Sequence, residues 1–369
     1  MATVINKTGI TPCLLLQNEI NKNFGALASD AMKPNVGLYN ALISDANRVG
    51  VSINEDVNNG QARPTNTSKR IVQLRYVKPT CTDVSVDAEV GECVTPDRGL
   101  ASTGYANVEV NDFVSFGFEL NDAEFDEMCA SRTTVYTENL MSEYYKALKR
   151  LDKKLLAKVL PTFGKYPNGD SSLTETIDVP FINANGTPNI GAFAKIQAMY
   201  RQLGYPANPI FVGDSDLLSL EYMQKYLGQG ANGINLANFT FNNFFFDAQV
   251  NAEIGDAPTD KRLITFAPGT YQFVNFLDTK RREVEKPMLL TINGEEVTRF
   301  EKENKVMSLE DGDWDFYYTY DCGKHNFNWQ KRFDLFSLPS DAVCNYPSLL
   351  FGVDCGDMSC DTFNSNGSY

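Results

Sequence analysis

The chemistry-bearing residues of this 369-residue chain are few, and they are quickly tested. Its single histidine, His325, lies in "DCGKHNFNW", so any Ser or Cys triad would have to use it. Its place just past a turn reads as a loop position and not as a base aimed at a nucleophile. Cys322-x-x-His325 and Cys355-x4-Cys360 together offer four soft ligands, the number that tetrahedral zinc needs. The first spacing suits zinc, the second is uncommon, and the pairs are far apart. The bland alternative, reduced and partly buried thiols near the C-terminus, is the expectation. "EDGDWDF" sets Asp311, Asp313 and Asp315 at the first ligand positions of a calcium loop. The sixth position holds Phe316 where the loop needs Gly, and the twelfth holds Cys322 where it needs Glu. Asp311-Gly312 therefore reads as a hairpin turn.

No G-x-x-x-x-G-K-[ST] loop is present to cradle phosphate, and no G-x-G-x-x-G follows a strand. "GDSDL" fails as a nucleophile elbow and reads as a helix cap. Catalytic residues, cofactor and metal are accordingly expected to be absent, the weak zinc alternative at Cys322, His325, Cys355 and Cys360 aside. The chain is read as not an enzyme, with its function in its surfaces. Aromatics such as Trp314, Tyr317, Tyr318 and Trp329 leave open a β-rich carbohydrate-binding or glycan-hydrolysing protein. Alternating aromatics are more often sheet packing.

The formal net charge is −14. Seven of the 33 Lys/Arg and five of the 47 Asp/Glu fall in residues 1–70, which leaves that segment slightly basic and the rest strongly acidic. Such a body disfavours sequence-specific nucleic-acid binding. The longest apolar runs, "CLLL" and "FFF", are too short to span a membrane. No signal peptide is expected from the first twenty residues, so the eight Cys are expected reduced and mostly buried.

Residues 1–69 read as an extended arm with short helical stretches. "RIVQLRYV" and "NVEVNDFVSFGFEL" alternate apolar and polar residues and are expected as two strands of a hairpin over 70–120. A helix is expected over 122–160: Asn121 and Glu124 suggest a capping box, Pro161 and Gly164 a stop. "SRTT" at 131–134 is a point where it could divide. Met141, Tyr144, Leu148, Leu151, Leu155 and Val159 make one apolar face, with no partner for a coiled coil, so the helix must lie on a sheet or on neighbouring chains. "NIGAFAKIQAMYRQLG" and "DSDLLSLEYMQKYLG" are amphipathic helices around the strand "PIFVG". The remainder is β: strand, Pro268-Gly269 turn, strand; a hairpin at Asn293-Gly294; and paired strands in "WDFYYTYDCG" and "NFNWQKRFDLFSLP".

This order of parts resembles the major capsid protein of tailed double-stranded DNA phages, the Hong Kong 97-like fold. The resemblance is one of architecture, since the family has no diagnostic short motif. It implies an α+β fold: an N-terminal arm at 1–69, an E-loop hairpin at 70–120, and a P-domain at 121–184 with the spine helix 122–160. It further implies an α/β A-domain at 185–265, returning P- and A-domain strands at 266–343, and an unmapped Cys-bearing tail at 344–369. The implied function is self-assembly into an icosahedral shell around a packaged genome, in a virion built in the host cytoplasm. The implied partners are copies of itself in hexamers and pentamers, portal, scaffold or decoration proteins, and double-stranded DNA held without sequence-specific binding; no membrane is implied. Contacts between subunits are expected from the arm and E-loop, at Leu15, Leu16, Arg75, Tyr76, Pro96 and Arg98. An encapsulin-like compartment of the same fold is the alternative. Deleting residues 1–60 is expected to abolish shells and leave a soluble, folded 185–265 segment.

Overall fold

The computed structural model describes residues 34–45, 51–53, 70–78, 102–121, 132–164, 177–180, 189, 191–205, 208–214, 217, 243–250, 261–277, 288–292, 295–321, 323–338 and 347–354. In chain order its elements are α1 (Gly37–Asp45), β1 (Val51–Ile53), β2 (Ile71–Lys78), β3 (Ser102–Glu109), β4 (Asp112–Asn121), α2 (Arg132–Val159), β5 (Ile177–Pro180) and α3 (Ala192–Gln202). Then follow β6 (Ile210–Gly213), β7 (Phe244–Phe246), β8 (Lys261–Phe266), β9 (Tyr271–Phe276), β10 (Met288–Ile292), β11 (Glu295–Leu309), β12 (Gly312–Asp321), β13 (Lys324–Ser337) and β14 (Ser348–Asp354). The chain divides into two compact units, one drawn from Met1–Pro34, Val110–Leu151 and Asn275–Phe333, the other from the remaining segments.

The first unit is built on an antiparallel sheet in the order β10-β11-β12-β13-β4, with β9 also paired to β13. The turn expected at Asp311-Gly312 lies one residue earlier, and Asn293-Gly294 lies outside the described residues. Leu309 pairs Gly312 across Glu310-Asp311, and Asp321 pairs Lys324. Gly312 and Gly323 have φ of +106° and +88°, which only glycine adopts cheaply. Ile292 pairs Glu295, which brackets Asn293-Gly294. One face of the sheet is aromatic: Phe116 stacks on Trp329 at 5.0 Å, and Phe316 lies 4.8 Å from Trp329. The portion of α2 in this unit lies on that face. Tyr144 meets Phe116 at 5.9 Å and Trp314 at 6.0 Å edge-on, and Tyr136 meets Phe327 at 5.1 Å. Leu140, Tyr144, Leu148 and Leu151 are buried at the three- and four-residue steps expected. The helix resting on a sheet is thus present. It runs 28 residues, about 42 Å at 1.5 Å per residue. It begins at Arg132, inside "SRTT", and residues 122–131 lie outside the described ones. A short 3-10 turn through Leu160–Thr162 carries the stop at Pro161.

The second unit contains the sheet β5-β14-β8-β6-β7, with β14/β5 and β6/β7 parallel and β14/β8 and β6/β8 antiparallel. α3 packs on it through Phe193, which meets Phe211 at 5.4 Å edge-on. Asn189 accepts the Gly191 N–H at 3.1 Å just ahead of α3, and Gly204 at φ +88° ends it. The Leu217 N–H donates to the Asp214 carboxylate at 3.1 Å, the capping contact expected there; the rest of that helix lies outside the described residues. The same unit holds α1 and the antiparallel sheet β1-β2-β3.

Two differences from the sequence reading stand out. "NVEVNDFVSFGFEL" is two strands: Ile71 pairs Glu109 at the base of the β2/β3 hairpin, the chain leaves at Val110-Asn111, and β4 pairs β13 in the other sheet. Unbroken alternation hides the sheet change because both strands bury one face. Pro268-Gly269 joins two strands as expected, and those strands belong to different sheets. The segment after 344 is not all tail. "SLLFGV" is a continuous apolar run, as a strand flanked on both sides requires, and β14 sits between β5 and β8.

Candidate functional site

The β2/β3 hairpin presents two unlike faces. Val72, Leu74 and Tyr76 are buried on one. On the other, Arg75 directly opposes Tyr105, and both are exposed, Tyr105 at 59%. Tyr105 and Phe113 are the large exposed apolar side chains among the described residues. Tyr76 is not available as an outward contact in the same way. Its ring meets Phe336 at 5.7 Å and lies over Gly104, where an added Cβ would stand 2.5 Å from the ring. Of the expected contact residues, Arg75 faces outward and Tyr76 inward; Leu15, Leu16, Pro96 and Arg98 lie outside the described residues.

In the first unit a buried polar cluster fixes α2 to the sheet. The Lys331 ammonium contacts Asp311 Oδ2 at 2.5 Å and donates to the Asp311 carbonyl at 3.1 Å. Tyr144 Oη and Trp314 Nε1 both donate to Asp311 Oδ1 at 2.7 Å. Lys331 also lies 5.0 Å over the Trp314 ring. Burial pushes the Lys331 ammonium below its ordinary range, while Asp311 and Asp313 pull it back up. Burial, reinforced by the Asp311 charge, pushes the Tyr144 phenol far up, so it stays a donor. The cluster spans the hairpin turn, two strands and the helix. Its chemistry is that of a clamp: every polar group is answered by another, and nothing is left to bind substrate. Sequence reading missed it, although Lys331 is in phase with buried Trp329 and Phe333 at two-residue steps.

His325 is a strand residue and not a loop residue. It pairs Tyr320 and Leu120 and shares a hydrogen bond with Tyr318 Oη at 2.8 Å. Strand pairing extends two residues closer to the Gly323 turn than the sequence suggested, from Asn326 to Lys324. Among the described residues no group of three or more His, Cys, Asp or Glu could hold a metal; Cys322, Cys355 and Cys360 lie outside them. Asp311 is engaged by the clamp, and Asp313 Oδ1 accepts from Ser308 at 2.5 Å, as in a hairpin turn. The aromatic platform for sugars is corrected: Trp314 and Trp329 are fully buried and Tyr318 nearly so, because they form the sheet's core beneath α2. Among the described residues no helix is long and apolar enough to cross a membrane.

No family model matches the chain, and no curated protein matches it. It is similar to a solved structure of Mycobacterium phage Che8, at 9% identity over 84% of this chain and 90% of that one, with a TM-score of 0.40. It is similar also to "The capsid of Myoviridae Phage XM1", at 11% identity over 83% of this chain and 90% of that one, with a TM-score of 0.39. A third likeness is to the capsid asymmetric unit of cyanophage Pam1, at 5% identity over 80% of this chain and 88% of that one, with a TM-score of 0.38.

Proposed function

We propose that this chain is a major capsid protein that assembles with copies of itself, as hexamers and pentamers, into an icosahedral shell around packaged double-stranded DNA. The observation that carries the reading is an order of parts: a two-faced hairpin, then a 28-residue helix whose aromatic side rests on a sheet, then a separate α/β unit, then strands that return to the first sheet. That is the order of the Hong Kong 97-like fold. In it β2/β3 is the E-loop, α2 the spine helix, the β10-β13/β4 sheet the P-domain, and the α3-bearing unit the A-domain. A chain whose Asp311–Lys331 cluster is closed on itself, and whose hairpin turns Arg75 and Tyr105 outward, suits a protein that works by contact. Its acidic body suits a container whose contents must slide past the wall without adhering. Portal, scaffold or decoration proteins are the further partners this role entails.

Negative-stain microscopy of the full-length protein, expressed alone and with its phage's assembly proteins, tests the proposal. Closed icosahedral particles that protect DNA are expected. Particles filled with a cargo enzyme would instead identify an encapsulin-like compartment. A monomer under both conditions rules out the shell.

A further inference from the structure

The start of α1 is held by two carboxylates in one closed compartment of the second unit. The Leu38 N–H donates to Asp247 Oδ2 at 2.9 Å, and the Tyr39 N–H donates to Asp152 Oδ1 at 2.9 Å. Gln249 donates to both acids, from its backbone to Asp247 Oδ1 at 2.8 Å and from its side chain to Asp152 Oδ2 at 3.3 Å. Both acids are 0% exposed, and Gln249 bridges them. Two carboxylates that share one closed compartment do not both stay ionised. Burial, followed by the charge of Asp247, pushes the Asp152 carboxyl well above its ordinary range.

Among the described residues, the groups that contact the pair are backbone N–H groups and Gln249, and none is a cation. On α2 the neighbouring Lys153 and Lys154 point to solvent. α1 has no acidic residue in its first turn, β7 is three phenylalanines, and Gln249 is neutral. α1 is also fitted closely: a Cβ on Gly37 would collide with the Phe246 carbonyl, and Leu38, Tyr39, Ala41 and Leu42 are buried.

We propose that this shared proton is a latch for α1: one proton keeps the helix docked, and its loss puts two facing negative charges into a closed compartment and frees the helix. The sign follows from linkage. The docked state keeps a proton that the undocked state releases at ordinary carboxylate pH. Docking is therefore tightest in acid and weakens as pH rises from that range towards the raised value of Asp152, then levels off. α1 lies within the segment 1–69 assigned as the N-terminal arm, ahead of the hairpin. A proton thereby controls a docked part of the segment assigned to reach other subunits, and the latch itself does not depend on that assignment.

Hydrogen–deuterium exchange of full-length protein across a pH series, read on the segment 36–45 and corrected for intrinsic exchange, tests it. The opening constant of α1 should rise with pH by up to about tenfold per unit, as release of one proton demands. Asp152→Asn supplies a permanent donor to Asp247 and should flatten that slope; Asp247→Asn should do the same. A native slope retained in both variants, or no slope in the native protein, overturns the latch. Infrared spectroscopy gives a reading that needs no variant to fold. At a pH where ordinary carboxyls are ionised and α1 is still protected, the native protein should show the carbonyl band of a protonated carboxyl, and a protected α1 without that band overturns the proposal.

Discussion

Lys331 shows how a charged residue comes to be held inside a core. Its ammonium is 1% exposed, with an Asp311 carboxylate that two further donors also hold. Removing one member leaves the other charged in a closed aromatic setting, which costs about 3–5 kcal/mol. Lys331→Met should therefore destabilise strongly in thermal unfolding followed by near-ultraviolet circular dichroism. The double variant Lys331→Met, Asp311→Leu should recover part of that loss, because no charge then remains. If the single and double variants unfold alike, the pair does not act as a unit. The clamp was partly legible. A lysine in register with Trp329 and Phe333 announces that it points inward. Its partner was not legible, since Asp311 lies across a turn and Tyr144 on a helix, and no local pattern ties them together. The two buried acids were hidden for the same reason. Asp152 reads as one more charge in "RLDKKLLAKV" until α1 is seen to dock its N-terminus there.

At the scale of elements, local signals located strands and turns well and pairings poorly. The paired strands β12 and β13, the tight turns at Gly312 and Gly323, and the end of α2 at Pro161 follow from residue chemistry alone. The switch of sheets at Val110-Asn111 and the insertion of β14 between β5 and β8 are choices among long-range partners, which periodicity does not encode. The hairpin separates packing from contact within a few residues. Gly104→Ala drives a methyl into the Tyr76 ring and should cost about 1–3 kcal/mol, seen as lost exchange protection over 71–78. Tyr105→Ser with Arg75→Glu changes only exposed positions and should shift stability by less than about 0.5 kcal/mol. In the shell reading the same pair lowers particle yield in microscopy and sedimentation. Unchanged yield removes this face of the hairpin from the contacts between subunits. In α2, Leu151→Ala empties a fully buried site and should cost about 2–5 kcal/mol, whereas Lys146→Glu, on the exposed side, should cost little.

At the scale of the whole molecule, the way segments interleave decides what can be cut away. The deletion of residues 1–60, expected from sequence to abolish shells and leave 185–265 folded, would remove α1 and β1. α1 carries Leu38, Tyr39 and Leu42 at 0–1% exposure, and β1 pairs β2 through Val51–Ile53. Nor is 185–265 a unit that folds alone. Its sheet takes β5 from before that range and β14 from near the C-terminus, and β14 is the strand that joins β5 to β8. Without it, Leu349 and Phe351 leave the core around Phe193, Tyr200 and Leu263, and two strands lose their shared partner. A cut ahead of Pro34 avoids both losses. Deletion of residues 1–33 should leave circular dichroism and the melting temperature close to those of the full chain, because the described buried residues of all three sheets and of α1 remain. If the arm laces neighbouring copies together, the same truncated protein should stay a small soluble species under conditions where the full chain forms particles, as sedimentation velocity would register. Particles of normal size from the truncated chain would show that subunits are held by other surfaces, and would move the search for contacts to the Arg75–Tyr105 face of the hairpin.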